Sequence, residues 1–183
     1  MVVRLLPEGW KEAKLLDVGS GDGYTIRLVK PEGAVLGIDT DPEMAAPARE
    51  RGVDFREGSA YAIPFPDESF DLITMVEVVE HLDRPVDALT EVGRVLKGGG
   101  VAVITTPVPR TSWRIIWWFW TKLGPGKRWE TTPHVSDLHM WQGKGASDGL
   151  ATILQRLGFE IEETSTCNMG YVAGVRARKL RRA

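Results

Sequence analysis

The stretch "AKLLDVGSGDGYTIRLV", residues 13–29, constrains the fold of this chain more than any other. An apolar run ends in a turn with glycines at 19, 21 and 23, and a helix-like segment starts directly behind it. Glycine lets the backbone turn tightly and approach a ligand with no Cβ in the way. A strand that passes through such a turn into a helix must meet its next strand in parallel, because the helix carries the chain back along the sheet.

The same unit recurs. Apolar runs follow in "GAVLGID", the weaker "VDFREG", "FDLITMVEV" and "GGVAVITT". Helical segments are expected between them at Tyr24–Lys30, Pro42–Arg51 (with Pro42 at a first-turn position) and Pro85–Leu96, where "ALTEVGRVL" has apolar residues at helical spacing. Continuous apolar strands alternating with helices indicate a parallel sheet covered on both faces. The end of the chain breaks this rhythm. "SDGLATILQRLGF" reads as a helix with a serine and aspartate start and a glycine stop. "EIEETST" and "YVAGVRARK", joined by the turn-prone "CNMG", read as an antiparallel hairpin at one side of the sheet. The expectation is one domain over residues 1–183: an α/β fold with a seven-stranded, mostly parallel sheet and helices on both faces.

Composition excludes several classes. The formal charge is −2, so no global basic excess points to nucleic acid, although "RARKLRRA" at the end is locally basic. One cysteine, Cys167, rules out an internal disulfide and a thiolate metal site. The first 14 residues contain no apolar core of the length a signal peptide needs, and cytoplasmic is the expected compartment.

The glycine spacing bears on the ligand. A dinucleotide fold wants G-x-G-x-x-G, with a pyrophosphate on the helix N-terminus. Here the third glycine comes one residue early, Tyr24 takes its place, and Asp17 before the loop would repel a pyrophosphate. The next strand ends in Asp39, where a carboxylate can accept hydrogen bonds from both hydroxyls of a ribose. The pattern suits a nucleoside bearing a cationic group rather than a nicotinamide dinucleotide. The competing reading is that Asp17 and Asp39 only cap the helices that follow them.

At this point the chain resembles the class I S-adenosylmethionine-dependent methyltransferases, in the broad type 11 group that includes the ubiquinone-biosynthesis enzymes. The likeness runs through "LLDVGSGDG", "VLGIDTDPEM", "GSAYAIPFPDESFDLI", "MVEVVEHLDRP" and "EVGRVLKGGGVAVITTP". It implies a Rossmann-like fold and S-adenosylmethionine as cofactor, with S-adenosylhomocysteine as product. By resemblance, Asp17, Gly19, Ser20 and Gly21 would surround the methionine part. Asp39 would hold the ribose beside Thr40, Met44 would pack on adenine, and Ser59 and Ala60 would border its edge. Met75 and Val76 would line the methionine side. Many relatives carry an aspartate where Ser59 stands, so that adenine contact is expected to be weaker or shifted.

Methyl transfer from a sulfonium depends mainly on alignment, and a base is needed only when the acceptor must lose a proton. The expected candidates are His81 and Glu80. If "VEVVEHL" turns helically, Glu77, Glu80 and His81 share one face. This resembles the E-x-x-E-H set of metal-dependent relatives, in which a later histidine, here His139 or His134, completes the site. A metal-assisted O-methyltransferase acting on a quinone precursor or an RNA 2′-hydroxyl is therefore the alternative; the favoured reading has no metal. A non-catalytic subunit that binds the cofactor is the alternative of another class.

Residues 107–146 form a long insertion after the fifth strand and hold six of the seven tryptophans, five of them within Thr111–Trp129. Trp113, Trp117 and Trp120 share one helical stripe with apolar neighbours around it. The run is too short to cross a bilayer. It is expected to act as a lid over a small apolar or aromatic acceptor, hinged at "GPGK". Contact with a second subunit in a homodimer, transient contact with a membrane interface and a plain core helix are the other uses considered. Only 13 residues precede Lys14, so the cover that relatives place before the glycine loop is expected to be nearly missing.

Overall fold

The fold was obtained as a computed structural model that describes residues 1–30, 35–107, 146–167 and 172–181. Seven strands form one sheet: β1 (Leu15–Val18), β2 (Val35–Asp39), β3 (Val53–Glu57), β4 (Phe70–Val76), β5 (Leu96–Pro107), β6 (Phe159–Cys167) and β7 (Val172–Lys179). Their order is β3-β2-β1-β4-β5-β7-β6. The first five pair in parallel, and β7 runs antiparallel between β5 and β6. The seven-stranded α/β sheet and its antiparallel C-terminal strands are therefore as the sequence pattern anticipates. The order reverses direction at β1 and β4. In open α/β sheets the ligand crevice lies at such a reversal, beyond the strands' carboxyl ends.

Alternation along each strand sends neighbouring residues to opposite faces. Leu16, Ile73, Ala102 and Ile104 pack with Leu89 and Val92 of α4 (Pro85–Val95) and with Leu150 and Leu154 of α5 (Ala146–Arg156). Leu15, Leu72, Val101 and Val103 pack instead with Leu5 of α1 (Val2–Leu5), with Ile26 and Val29 of α2 (Tyr24–Val29), and with Ala48 of α3 (Ala45–Glu50). Both faces are covered, which is why the strands read as unbroken apolar runs.

Two elements differ from the sequence expectation. The helix expected over Pro42–Arg51 is a 3-10 turn, Pro42–Met44, followed by the short α3. Pro47 has no N–H to donate to the carbonyl four residues earlier, so one continuous α-helix cannot form from Pro42. Helix α1, which the sequence pattern did not single out, lies against β7 and β5 with Leu5 fully buried. The N-terminal residues thus cover part of the sheet.

Among the described residues, no helix is long and apolar enough to cross a membrane. Residues 108–145 lie outside the described part. The expectations for Trp113, Trp117, Trp120, His134, His139 and the "GPGK" hinge all fall there.

Candidate functional site

The glycine loop joins the carboxyl ends of β1 and β2 through its main chain. The N–H groups of Gly19 and Ser20 both donate to the Ile38 carbonyl, at 2.8 and 2.9 Å. Gly19 has a φ of 72°, and a Cβ there would lie 2.4 Å from Cγ2 of Val78. Close approach of the β4 loop thus reinforces the conformational demand for glycine.

Asp39 receives hydrogen bonds on both oxygens. Gly21 N–H donates to Oδ2 at 2.8 Å, and Asp41 N–H donates to Oδ1 at 3.0 Å. The carboxylate is thereby fixed at the rim of the crevice, and each oxygen keeps a further lone pair for a diol. Gly23 is the N-cap of the helix after β1, and Asp41 caps the turn after β2. Asp22 Oδ1 accepts from Tyr24 N–H at 3.0 Å, and Asp41 Oδ1 accepts from Glu43 N–H at 2.9 Å. Asp17 and Asp39 are therefore not the caps of the helices that follow them.

Asp17 is 4% exposed, and its Oδ1 accepts from Thr74 Oγ1 at 2.6 Å. Among the described residues it forms no ion pair. Burial pushes its carboxyl up to about 7; the Thr74 hydrogen bond opposes this, and the nearby Asp39 charge adds to it. A buried acid beside a second carboxylate favours a cationic ligand.

The remaining expected residues divide into groups. Ser20 is buried close to Gly37, and among the described residues its Oγ has no hydrogen-bond partner. Thr40 is exposed beside Asp39, and Met44 is half-buried against the α1–α3 side of the core. Ser59 Oγ accepts from Tyr61 N–H at 3.2 Å, which ties up one of its lone pairs. Ala60 is half-buried against the other core cluster. Val76 is half-buried at the end of β4. Met75 is fully buried in the core, so only its main chain can face the crevice.

The segment after β4 does not form the helical face that would align Glu77, Glu80 and His81. Glu77 takes a φ of 54°, and only Val79–His81 turn, as a 3-10 helix. A left-handed glutamate interrupts any α-helix at that point. Glu77 N–H donates to the Thr105 carbonyl at 3.1 Å, and Thr105 Oγ1 donates to Glu77 Oε1 at 2.9 Å. The Glu80 side chain is 5% exposed, and among the described residues its Oε2 and the Oγ1 of Thr106 have no hydrogen-bond partner. Burial pushes Glu80 up to about 8, helped by the Glu77 charge; Thr106 lies close enough to favour the ionised form slightly. Burial also raises Glu77, against the Thr105 hydrogen bond. His81 is exposed, with Nε2 3.8 Å from Glu80 Oε1. Among the described residues, no group of three or more His, Cys, Asp or Glu side chains is arranged to hold a metal ion.

Sequence reasoning missed Thr74, Val78, Thr105 and Thr106. The available signal was a hydroxyl inside an otherwise apolar strand, in "DLITMV" and again in "VITT".

A Rossmann-like α/β sheet with a glycine turn, a buried acid before it and a second acid at the end of the next strand is the arrangement of the methyltransferase class. Comparison with known proteins agrees. Residues 16–104 match the family described as "Methyltransferase domain". A Mycolicibacterium smegmatis protein named "Probable S-adenosylmethionine-dependent methyltransferase" is 31% identical over 154 residues, covering 82% of this chain and 53% of that protein. Demethylmenaquinone methyltransferase of Chlorobaculum parvum is 40% identical over 108 residues, 56% of this chain and 45% of that protein. Among solved structures, the methyltransferase in complex with the Haloferax volcanii Trm112 methyltransferase activator superposes with a TM-score of 0.76 at 16% identity. That match covers 100% of this chain and 88% of the other. A S-adenosylmethionine-dependent methyltransferase from Thermotoga maritima gives 0.67 at 23% identity, over 97% and 86% of the two chains. The fold and the match over residues 16–104 show a class I S-adenosylmethionine-dependent methyltransferase domain in this chain. It spans about half the length, or less, of the curated relatives it matches.

Proposed function

We propose that this protein transfers a methyl group from S-adenosylmethionine to a small apolar or aromatic acceptor. The observation that carries this reading is the pairing of Asp39 with the glycine loop. Both carboxylate oxygens are pre-positioned by main-chain N–H groups of Gly21 and Asp41, and they remain able to accept from a diol. A phosphate-bearing ligand would meet the two acids, Asp17 and Asp39, in the same crevice.

In this reading Asp39 binds the ribose beside Thr40. Asp17, Gly19, Ser20 and Gly21 surround the amino-acid end, with Val76 and the main chain of Met75 beside it. Met44, Ser59 and Ala60 border the adenine. When bound, the cofactor supplies a methyl group on a sulfonium that leaves as a neutral thioether. The protein's part is then alignment and exclusion of water. With a hydroxyl acceptor, His81, exposed beside Glu80, or Glu80 itself would take the proton. The names of relatives that act on demethylmenaquinone and on 2-methyl-6-phytyl-1,4-hydroquinone support an aromatic, quinol-like acceptor.

Isothermal calorimetry with S-adenosylhomocysteine and with NAD tests the cofactor assignment. The expected result is saturable heat with the first and none with the second; the reverse removes the proposal. Labelled methyl transfer to a panel of quinols, phenols and amines then identifies the acceptor.

A further inference from the structure

Among the described residues, no cationic side chain pairs with the acid that precedes the glycine loop. Asp17 and Thr74 face each other across the parallel β1–β4 pair, in direct register. Thr74 is fully buried and spends its hydroxyl on Asp17 Oδ1, which leaves Oδ2 for a ligand. The charged group that acts on Asp17 from β2 is Asp39, and it repels. From β4 the Thr74 hydroxyl acts on Asp17 and favours the ionised form. Leaving a carboxyl in this position costs stability unless a ligand compensates it.

We propose that Thr74 is a positioning residue that holds Asp17 for the ammonium group of the cofactor's amino-acid end, and that this ammonium binds in exchange for a proton. The inference rests on the S-adenosylmethionine reading and extends it to proton balance. The Asp17 carboxyl gives its proton to solvent, and the ionised oxygen takes the ammonium. No covalent bond changes. Because the group titrates near pH 7 in the free protein, the exchange is visible at ordinary pH. Thr74 acts through Asp17: its hydrogen bond favours the ionised form, so losing it makes the proton harder to remove.

The test is calorimetry at pH 6.5 in buffers of different ionisation enthalpy, with S-adenosylhomocysteine and with methylthioadenosine, which has the nucleoside but no amino acid. Wild type is expected to release about three quarters of a proton per S-adenosylhomocysteine and none with methylthioadenosine. Its S-adenosylhomocysteine affinity should rise about tenfold from pH 6 to pH 8. Asp17→Asn should abolish both effects. Thr74→Val should raise the release towards one proton and shift the affinity profile to higher pH, and Thr74→Ser should restore the wild-type values. A purely structural role for Thr74 would change the melting temperature and leave the proton count alone. Wild-type binding without proton release, or release that persists in Asp17→Asn, overturns the inference while leaving the cofactor assignment intact. Should Thr74→Val not fold, Thr74→Ala, which also removes the hydroxyl, takes its place with the same expected shift. Failure of wild type to bind either ligand would remove the cofactor reading, and this inference with it.

Discussion

At the scale of single residues, the site is built from positions where one atom more or one charge more has nowhere to go. Gly19 is one. Alanine there must adopt a φ of 72° with its Cβ 2.4 Å from Cγ2 of Val78. Gly19→Ala is expected to cost about 1–3 kcal/mol of stability and to weaken S-adenosylhomocysteine binding at least tenfold, read by urea denaturation and calorimetry. Val78→Ala in the same chain should recover only the steric part, because the strained φ remains. Glu80 illustrates the excess charge. Its carboxyl is raised to about 8 in the folded protein, against roughly 4.3 in an unfolded chain. Between those values the unfolded chain has lost a proton that the folded one still binds, so stability falls as pH rises through this window. Glu80→Gln removes the effect. The melting temperature of the variant should therefore gain on that of wild type from pH 5 to pH 8.5; a constant difference would show that Glu80 ionises freely in the fold. Asp17 is raised too, but it is present in both proteins and cancels from the comparison.

At the scale of elements, short turns and one arginine set where the site residues point. The 3-10 turn after β2 is held by Asp41, so that Asp39 is left to the glycine loop. Its sequence, "DTDPEM", shows a start signal and a proline, and both were legible. The break before α3 was not, because it depends on an N–H that Pro47 lacks inside an otherwise good helical pattern. On the other side of the sheet, Arg94 of α4 fastens the loop between β3 and β4. Its guanidinium donates to the Ile63 and Phe65 carbonyls, both at 2.9 Å, to Asp67 at 2.8 Å and to Glu91 at 2.7 and 2.8 Å. Glu91 in turn accepts from Ile63 N–H at 2.9 Å. That loop carries Ser59 and Ala60 at its start. Lysine keeps the charge but cannot reproduce a planar fork with several donors. Arg94→Lys should therefore destabilise the protein by about 1–3 kcal/mol in chemical denaturation. Equal stability of the two proteins would mean that the loop is held by its apolar contacts alone.

At the scale of the whole molecule, the sheet is sealed on both faces, and α1 closes one of them from the far end of the chain. Leu5 is fully buried, and a Cβ on Gly174 of β7 would lie 2.5 Å from its Cδ1. Leu5→Ala should cost about 2–5 kcal/mol, measured by denaturation, and a smaller loss would show that the end of the sheet collapses onto the cavity. This contact joins residues more than 160 positions apart, and no local pattern announces it. The same holds at the site. Local sequence determined the alternating strands and helices, the glycine turn and the two acids at 17 and 39, because periodicity and backbone freedom act over a few residues and leave their mark there. Only the tertiary structure decided that Thr74 answers Asp17, that Val78 closes on Gly19, that Met75 turns into the core and that Glu77 breaks the helix which would have aligned Glu80 and His81. Those outcomes follow from strand register and burial, which depend on chain segments brought together from across the sequence.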